Sequence, residues 1–201
     1  ELRHLHHLAP DHSLRSIFFG GGTPSLMHPD TVAALIAEAK TLWPTPPTPS
    51  PSPQEGDRPT MERSGMREGE CLPTAKRGSG GTPSLVSASE PEITLEANPT
   101  SVESSTFPLM KQAGVNRVSL GIQSLRPDAL RFLGREHSVP EAMAALDHAR
   151  THFPRYSFDL IYALPGQSLQ AWEHELTEAL TYAGQHLSLY QLTIEPNTMF
   201  H

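Results

Sequence analysis

An α/β fold with parallel strands is predicted, because strand patterns and helix patterns alternate along most of the chain. The first strand pattern, residues 16–19, runs into the glycines at 20–22, and an amphipathic helix pattern follows at 30–42. The same order of strand, polar turn and helix recurs from residue 93 onward. Parallel strands need such crossovers, so the alternation predicts one sheet covered by helices.

The predicted elements follow from the spacing of apolar residues. Leu2, Leu5 and Leu8 lie three apart and predict a helix at the start of the sequence. In the next helix, Asp30 is in position to act as the N-cap. The remaining strands are predicted at 93–96, 117–122, 156–161 and 186–194, and the remaining helices at 107–114, 127–133, 140–152 and 169–183.

A proline-rich segment divides the chain into three predicted parts. Residues 1–44 begin the folded core, residues 45–90 form an insertion, and residues 91–201 continue the core. Seven prolines lie between Pro44 and Pro59, and no hydrophobic periodicity survives there. Such a composition cannot bury enough apolar surface to offset the entropy of ordering, so we predict a disordered insertion.

Composition excludes several classes of function. The net charge of −7 argues against a nucleic-acid partner, for which a basic surface is expected. No apolar run approaches the ~20 residues that span a bilayer, and no signal peptide is visible. A peripheral membrane association would leave no mark in this sequence. The single cysteine, Cys71, excludes an intrachain disulfide and favours a reducing cytoplasm.

Polar residues recur where the predicted strands end. They occupy five places along the chain: 20–23, 96–98, 123–124, Asp159 and 191–195. One polar strand end is ordinary surface polarity, but five in series favour a shared ligand site, because parallel strands present their carboxyl ends on one face. The glycines at 20–22 lack the spacing of dinucleotide and phosphate loops, and they would admit a ligand to bare backbone.

Six sequence strings, in order, carry a resemblance to a known family. They are SIFFGGGTPSL at 16–26, TLEANP at 94–99, GVNRVSLGIQS at 114–124, LGREH at 133–137, DLIYALPGQ at 159–167 and HLSLYQLTIEPNT at 186–198. Together they resemble the HemW branch of the radical S-adenosylmethionine superfamily, which is related to oxygen-independent coproporphyrinogen III oxidase. The match covers essentially all of the chain outside the insertion.

This resemblance implies a partial (β/α)6 TIM-like barrel, truncated at both ends, which holds a [4Fe-4S] cluster and S-adenosylmethionine at its strand-end face. It also implies that Glu96 binds near the cofactor's amino group or ribose, and that backbone at Thr193 lies beside the adenine. The full set of implied cofactor contacts is Gly21, Gly22, Thr23, Glu96, Gln123, Arg135, Asp159 and Thr193. Without the resemblance, Arg135 would be interpreted as a surface ion-pair partner.

The sequence departs from the family pattern in its cysteines. The family's Cys-x3-Cys-x2-Cys loop is absent, and a cluster with one open iron needs three thiolates. We therefore expect no metal ligand, no catalytic residue and no radical chemistry in this chain alone. Because the chain begins at Glu1 without a methionine, we expect it to be a fragment of a longer protein.

Three functions remain open for the parent protein. The first is a heme chaperone that binds heme and passes it to heme-accepting proteins. The second is an oxidase that decarboxylates coproporphyrinogen III through a 5′-deoxyadenosyl radical, and the third is a nonfunctional truncated remnant. The strings beginning at 94 and 186 favour the chaperone.

Histidines raise one further alternative for heme or metal binding. His4, His6 and His7 lie together near the start of the sequence, and two histidines three residues apart, such as His4 and His7, can place two ligands on one helix face. Exposed helix residues are the more common outcome for such a pair. His137 and His186 lie inside the family strings, but no role is assigned to them.

Overall fold

A computed structural model describes residues 1–44 and 90–195. In this part of the chain five strands pair in sequence order, every pair is parallel, and the sheet curls into half of a barrel. The elements are α1 (Leu2–Leu8), β1 (Ser16–Phe19), a 3-10 turn (Pro24–Leu26), α2 (Pro29–Leu42), β2 (Glu92–Ala97), α3 (Ser101–Ser104), α4 (Phe107–Gln112), β3 (Arg117–Gln123), α5 (Pro127–Phe132), α6 (Val139–His152), β4 (Arg155–Tyr162), α7 (Leu169–Tyr182) and β5 (Ser188–Gln191). The predicted fold class, a partial barrel of parallel strands, is confirmed.

The apolar core lies between the outer face of the sheet and the helices that cover it. Leu95, Leu120 and Phe158 project from β2, β3 and β4 and are fully buried. They belong to one cluster with Met110 of α4 and Leu146 of α6. Alternate strand residues point to opposite faces, so this apolar packing uses every second residue of the central strands.

The concave face of the sheet is polar. Register pairs Ser119 with Ser157 and Thr94 with Arg117, and paired residues of parallel strands share a face. A closed (β/α)8 barrel fills its interior with branched apolar side chains, whereas hydroxyl and charged groups take those positions here. The interior of the curl therefore offers hydrogen-bonding groups rather than apolar contacts.

The start of α2 differs from the prediction. Asp30 is not the N-cap: that position belongs to His28, whose Nδ1 accepts the backbone N–H of Asp30 at 3.3 Å. Proline is favoured at the first helical position, and Pro29 shifts the start of the helix accordingly. The prediction that Asp30 is the N-cap is therefore wrong.

Two other boundaries also differ. The short helix α3 was not predicted, because a single polar turn has no apolar period; it begins where the Thr100 side chain accepts the backbone N–H of Glu103. Strand β5 ends at Gln191, short of the predicted Ile194. The predicted insertion at 45–90 lies outside the described residues except for its last residue, Glu90, so its disorder stays a prediction.

Candidate functional site

A cavity of about 240 Å³ lies at the carboxyl ends of β1, β2 and β3 and extends to β4. Six residues that were predicted to contact a cofactor line it: Gly22, Thr23, Glu96, Gln123, Arg135 and Asp159. Five lining residues were not in the predicted set: Pro24, Ala97, Asn98, Ser119 and Gly121. Residues far apart in sequence thus meet at the face where the topology places ligand sites.

The other two predicted residues lie outside the cavity wall. Gly21 borders it, since its backbone N–H donates to Oε2 of Glu96 at 3.1 Å. Thr193 follows the end of β5 and is not among the lining residues. Cofactor contact stays a prediction for all eight residues.

Glycine is required by backbone conformation in the loop after β1. Gly21 and Gly22 have φ angles of 81° and 61°, in the left-handed region that side-chain-bearing residues rarely adopt. A Cβ built on either would meet no protein atom within 4 Å. At Gly20, by contrast, a Cβ would lie 3.0 Å from Oε2 of Glu96. The loop therefore leaves its own surface open while it packs closely against the Glu96 carboxylate.

Arg135 is held across the end of β3 from the connection between α5 and α6. Its Nη2 donates to the backbone oxygen of Gly121 at 3.0 Å and to Oδ1 of Asn98 at 3.1 Å. A Cβ at position 121 would lie 3.2 Å from Arg135 Nη2 and 3.1 Å from Nε2 of Gln123. The absence of a side chain at Gly121 therefore makes room for two polar groups of the cavity.

Asp159 lies within β4 rather than at its end, and it faces the cavity. Burial raises the pKa of Asp159 above its ordinary value, and the negative charge of Glu96 raises it further. Hydrogen bonds from Ser188 and Ser119 and the charge of Arg117 act in the opposite direction. A cationic ligand would favour the ionised form of this carboxyl group, because opposite charges stabilise each other at short range.

Two buried glutamates hold the loops of the site from behind. Glu103 of α3 accepts hydrogen bonds from Ser25 Oγ, in the turn after β1, and from the backbone N–H of Asn98 at 2.7 Å. Glu175 of α7 accepts from Ser124 Oγ, after β3, at 2.5 Å. Their exposed fractions are 5% and 2%. Sequence reasoning missed both, because helical glutamates give no signal until their partners are known.

The histidines have ordinary surroundings in the described part of the chain. His137 is buried, and this burial lowers its pKa; its Nε2 lies 3.0 Å from the backbone oxygen of Ile122. His6 packs edge-on against Trp43, with ring centroids 5.4 Å apart. Within residues 1–44 and 90–195 no group of three or more His, Cys, Asp or Glu side chains is placed to hold a metal ion. None of the helices described there is long and apolar enough to cross a membrane.

Comparison with known families decides the affiliation of this fold. The profile of the radical SAM superfamily matches residues 2–179. The chain belongs to the radical SAM superfamily. The predicted superfamily is thereby confirmed. Membership in it implies S-adenosylmethionine and a [4Fe-4S] cluster as cofactors.

Named relatives are also consistent with the predicted branch. The chain is 37% identical over 200 residues to mouse radical S-adenosyl methionine domain-containing protein 1, mitochondrial, covering 98% of this chain and 36% of that protein. It is 35% identical to the heme chaperone HemW of Haemophilus influenzae, covering 93% of this chain and 38% of the relative. The chain thus spans about a third of the length of these curated relatives.

A solved structure supports the fold independently. Coproporphyrinogen III oxidase (HemN) from Escherichia coli superimposes with a TM-score of 0.65, covering 97% of this chain and 36% of the oxidase. The two are 20% identical, so the likeness establishes a shared fold and not a shared activity.

Proposed function

We propose that this half-barrel is the S-adenosylmethionine-binding core of a heme chaperone of the HemW type. The observation that carries the proposal is the strand-end cavity in which Glu96, Asp159 and Arg135 meet. S-adenosylmethionine presents a sulfonium, an ammonium group, a carboxylate and ribose hydroxyls. Carboxylates can accept from the ammonium and hydroxyl groups, and a guanidinium fork can bind the cofactor's carboxylate.

The volume and composition of the cavity support a small polar ligand. Its volume of about 240 Å³ approaches the ~300 Å³ at the lower end of ligand pockets. The open backbone of Gly22 adds main-chain groups to the side chains of the wall. A heme-associated role rests on the names of the bacterial relatives, and heme and heme-accepting proteins are its proposed partners.

An iron–sulfur cluster does not fit the thiols of this sequence. Cys71 is the only cysteine and lies outside the described residues, whereas a cluster with one open iron takes three thiolates. We therefore assign this chain's residues to cofactor binding and no radical step to them. A cytoplasmic location stays a prediction, and the name of the mouse relative places that protein in mitochondria.

Glu96→Ala tests the cofactor site. Loss of a charged partner should weaken S-adenosylmethionine binding by about 1–3 kcal/mol, measured by isothermal titration calorimetry. Glu173→Ala is the matched control, because Glu173 is an exposed residue of α7 outside the cavity wall. Unchanged affinity in the Glu96 variant, or an equal loss in the control, would refute the site.

Heme titration separates the chaperone from the oxidase. It is done on a protein in which this chain is joined to a three-cysteine cluster loop and the cluster is reconstituted. Saturable heme binding without release of 5′-deoxyadenosine is expected for the chaperone. Release of 5′-deoxyadenosine together with decarboxylation of coproporphyrinogen III would favour the oxidase instead.

A further inference from the structure

A line of hydroxyl groups crosses the concave face of the sheet beneath the cavity. Nη2 of Arg117 donates to Ser157 Oγ at 2.9 Å, and Ser157 Oγ lies 3.0 Å from Ser119 Oγ. Ser119 lines the cavity together with Asp159, and a hydrogen bond from the Ser119 hydroxyl is among the causes that lower the pKa of that carboxyl group. The line therefore joins a guanidinium group deep in the curl to a carboxyl group in the cavity wall.

The chemistry of these groups fixes the direction of the hydrogen bonds when Asp159 is ionised. A guanidinium group only donates, and a carboxylate only accepts. Ser119 uses its single hydrogen on the carboxylate, so it must accept from Ser157, whose oxygen already accepts from Arg117. Every donor in the line then points toward Asp159, and hydrogen bonds aligned in this way polarise one another.

Burial protects the middle of the line from competition with water. Ser157 is 0% exposed and Ser119 is 8% exposed. A buried hydroxyl that loses its partner is costly, so these two serines have one favourable arrangement rather than several. Register supports the same arrangement, because Ser119 and Ser157 are paired across β3 and β4.

We propose that Ser157 and Ser119 are positioning residues of the S-adenosylmethionine site, forming a one-way hydroxyl relay that orients the Asp159 carboxyl group toward the ligand. This inference rests on the proposed function for its ligand. The relay itself rests on contacts within the chain. Ser157 touches no ligand and acts through Ser119 and Asp159.

Several other groups act on Asp159 and must be considered with the relay. Glu96 of β2 opposes its ionisation, and Ser188 of β5 donates a second hydrogen bond to it. The charge of Arg117 favours ionisation, and Arg135 lines the same cavity. Removal of the relay leaves these groups in place, so its contribution can be measured separately.

The direct test is a pH titration of the Asp159 carboxyl carbon by ¹³C NMR on the 201-residue chain without ligand. Asp159→Asn identifies the resonance. In Ser157→Ala the midpoint should move to higher pH, because the Ser119 hydroxyl that donates to the ionised form loses the polarising donor behind it. Ser104→Ala is the matched control: Ser104 is also buried, but its hydroxyl bonds the backbone oxygen of Ser101 in α3, and its midpoint should equal that of the wild type. Ser119→Ala gives a second route to the same shift if the first variant folds poorly.

Binding measurements connect the relay to the ligand. Ser157→Ala should bind S-adenosylmethionine about tenfold more weakly at a pH below the midpoint measured for the variant by NMR, and it should approach wild-type affinity well above that midpoint, since the carboxyl group ionises again as the pH rises. Equal NMR midpoints in Ser157→Ala and wild type would overturn the relay, as would a loss of affinity independent of pH. If the wild-type chain binds no S-adenosylmethionine at any pH while the midpoint shifts, the proposed function fails and the relay's action on Asp159 stands.

Discussion

Two neighbouring residues of β3 lie on opposite faces of the sheet and have different roles. Leu120 of β3 points outward into the apolar core, while Ser119, one residue earlier, points into the curl toward Asp159. Burial of the first is favourable in itself, whereas burial of the second is tolerated only because its hydroxyl is bonded. Apolar packing on the outer face of the sheet thus stabilises the fold, whereas the burial of polar groups on the concave face lowers its stability.

The largest expected effect is on the outer face. Leu120→Ala should lower the free energy of unfolding by about 2–5 kcal/mol, because it removes a fully buried side chain and leaves a cavity. Ser119→Ala should cost only about 1 kcal/mol, the net value of an ordinary hydrogen bond. Urea denaturation of both variants measures the difference. Equal losses would contradict the division of labour between the two faces.

The same division explains what could be predicted from sequence. The strands β2, β3 and β4 were predicted because their apolar residues recur locally, and the glycines at 20–22 marked the cavity because conformation is a local property. The loop-anchoring bonds of Glu103 to Ser25 and of Glu175 to Ser124 join residues 78 and 51 positions apart. No local pattern encodes such partners, because they exist only after the helices pack.

Asp159 was predicted to be one of five polar places that share a ligand site, and its partners were not predicted. Those partners, among them Ser119 and Ser188, lie on neighbouring strands, so the register of the sheet brings them together. Register follows from the packing of whole strands rather than from any residue alone. The sequence therefore indicates that the Asp159 charge needs partners, and the register of the folded sheet determines which residues those partners are.

Asp159→Asn should separate stability from binding. The pKa of Asp159 is raised in the folded state, so the folded protein holds this proton more tightly than the unfolded chain. Stability is therefore lost as the pH rises through the window between the ordinary and the raised pKa, and the asparagine variant avoids that loss. At about pH 7 the variant should be more stable than the wild type, while S-adenosylmethionine affinity falls.

Urea denaturation at about pH 4 and about pH 7 checks the sign, because the advantage of the variant should grow with pH. Asp147→Asn, at an exposed residue of α6, should show no such trend. A variant less stable than wild type at the higher pH would show that the carboxylate stabilises the fold.

The smallest expected effect concerns two residues with left-handed backbone. Gln123 and Ala163 have φ angles of 73° and 61°, in a region that costs a residue with a Cβ about 1–2 kcal/mol relative to glycine. Gln123 gives a side chain to the cavity, whereas Ala163 is exposed and lies outside its wall. Ala163→Gly should therefore stabilise the chain by about 0.5–1 kcal/mol, after the added entropy of the unfolded glycine is subtracted, and leave cofactor affinity unchanged.

Ala113→Gly is the matched control, because its φ of −66° is ordinary, and it should destabilise by about 0.5–1 kcal/mol. Thermal denaturation of the pair decides the sign. Destabilisation by both substitutions would mean that the Ala163 backbone carries no strain.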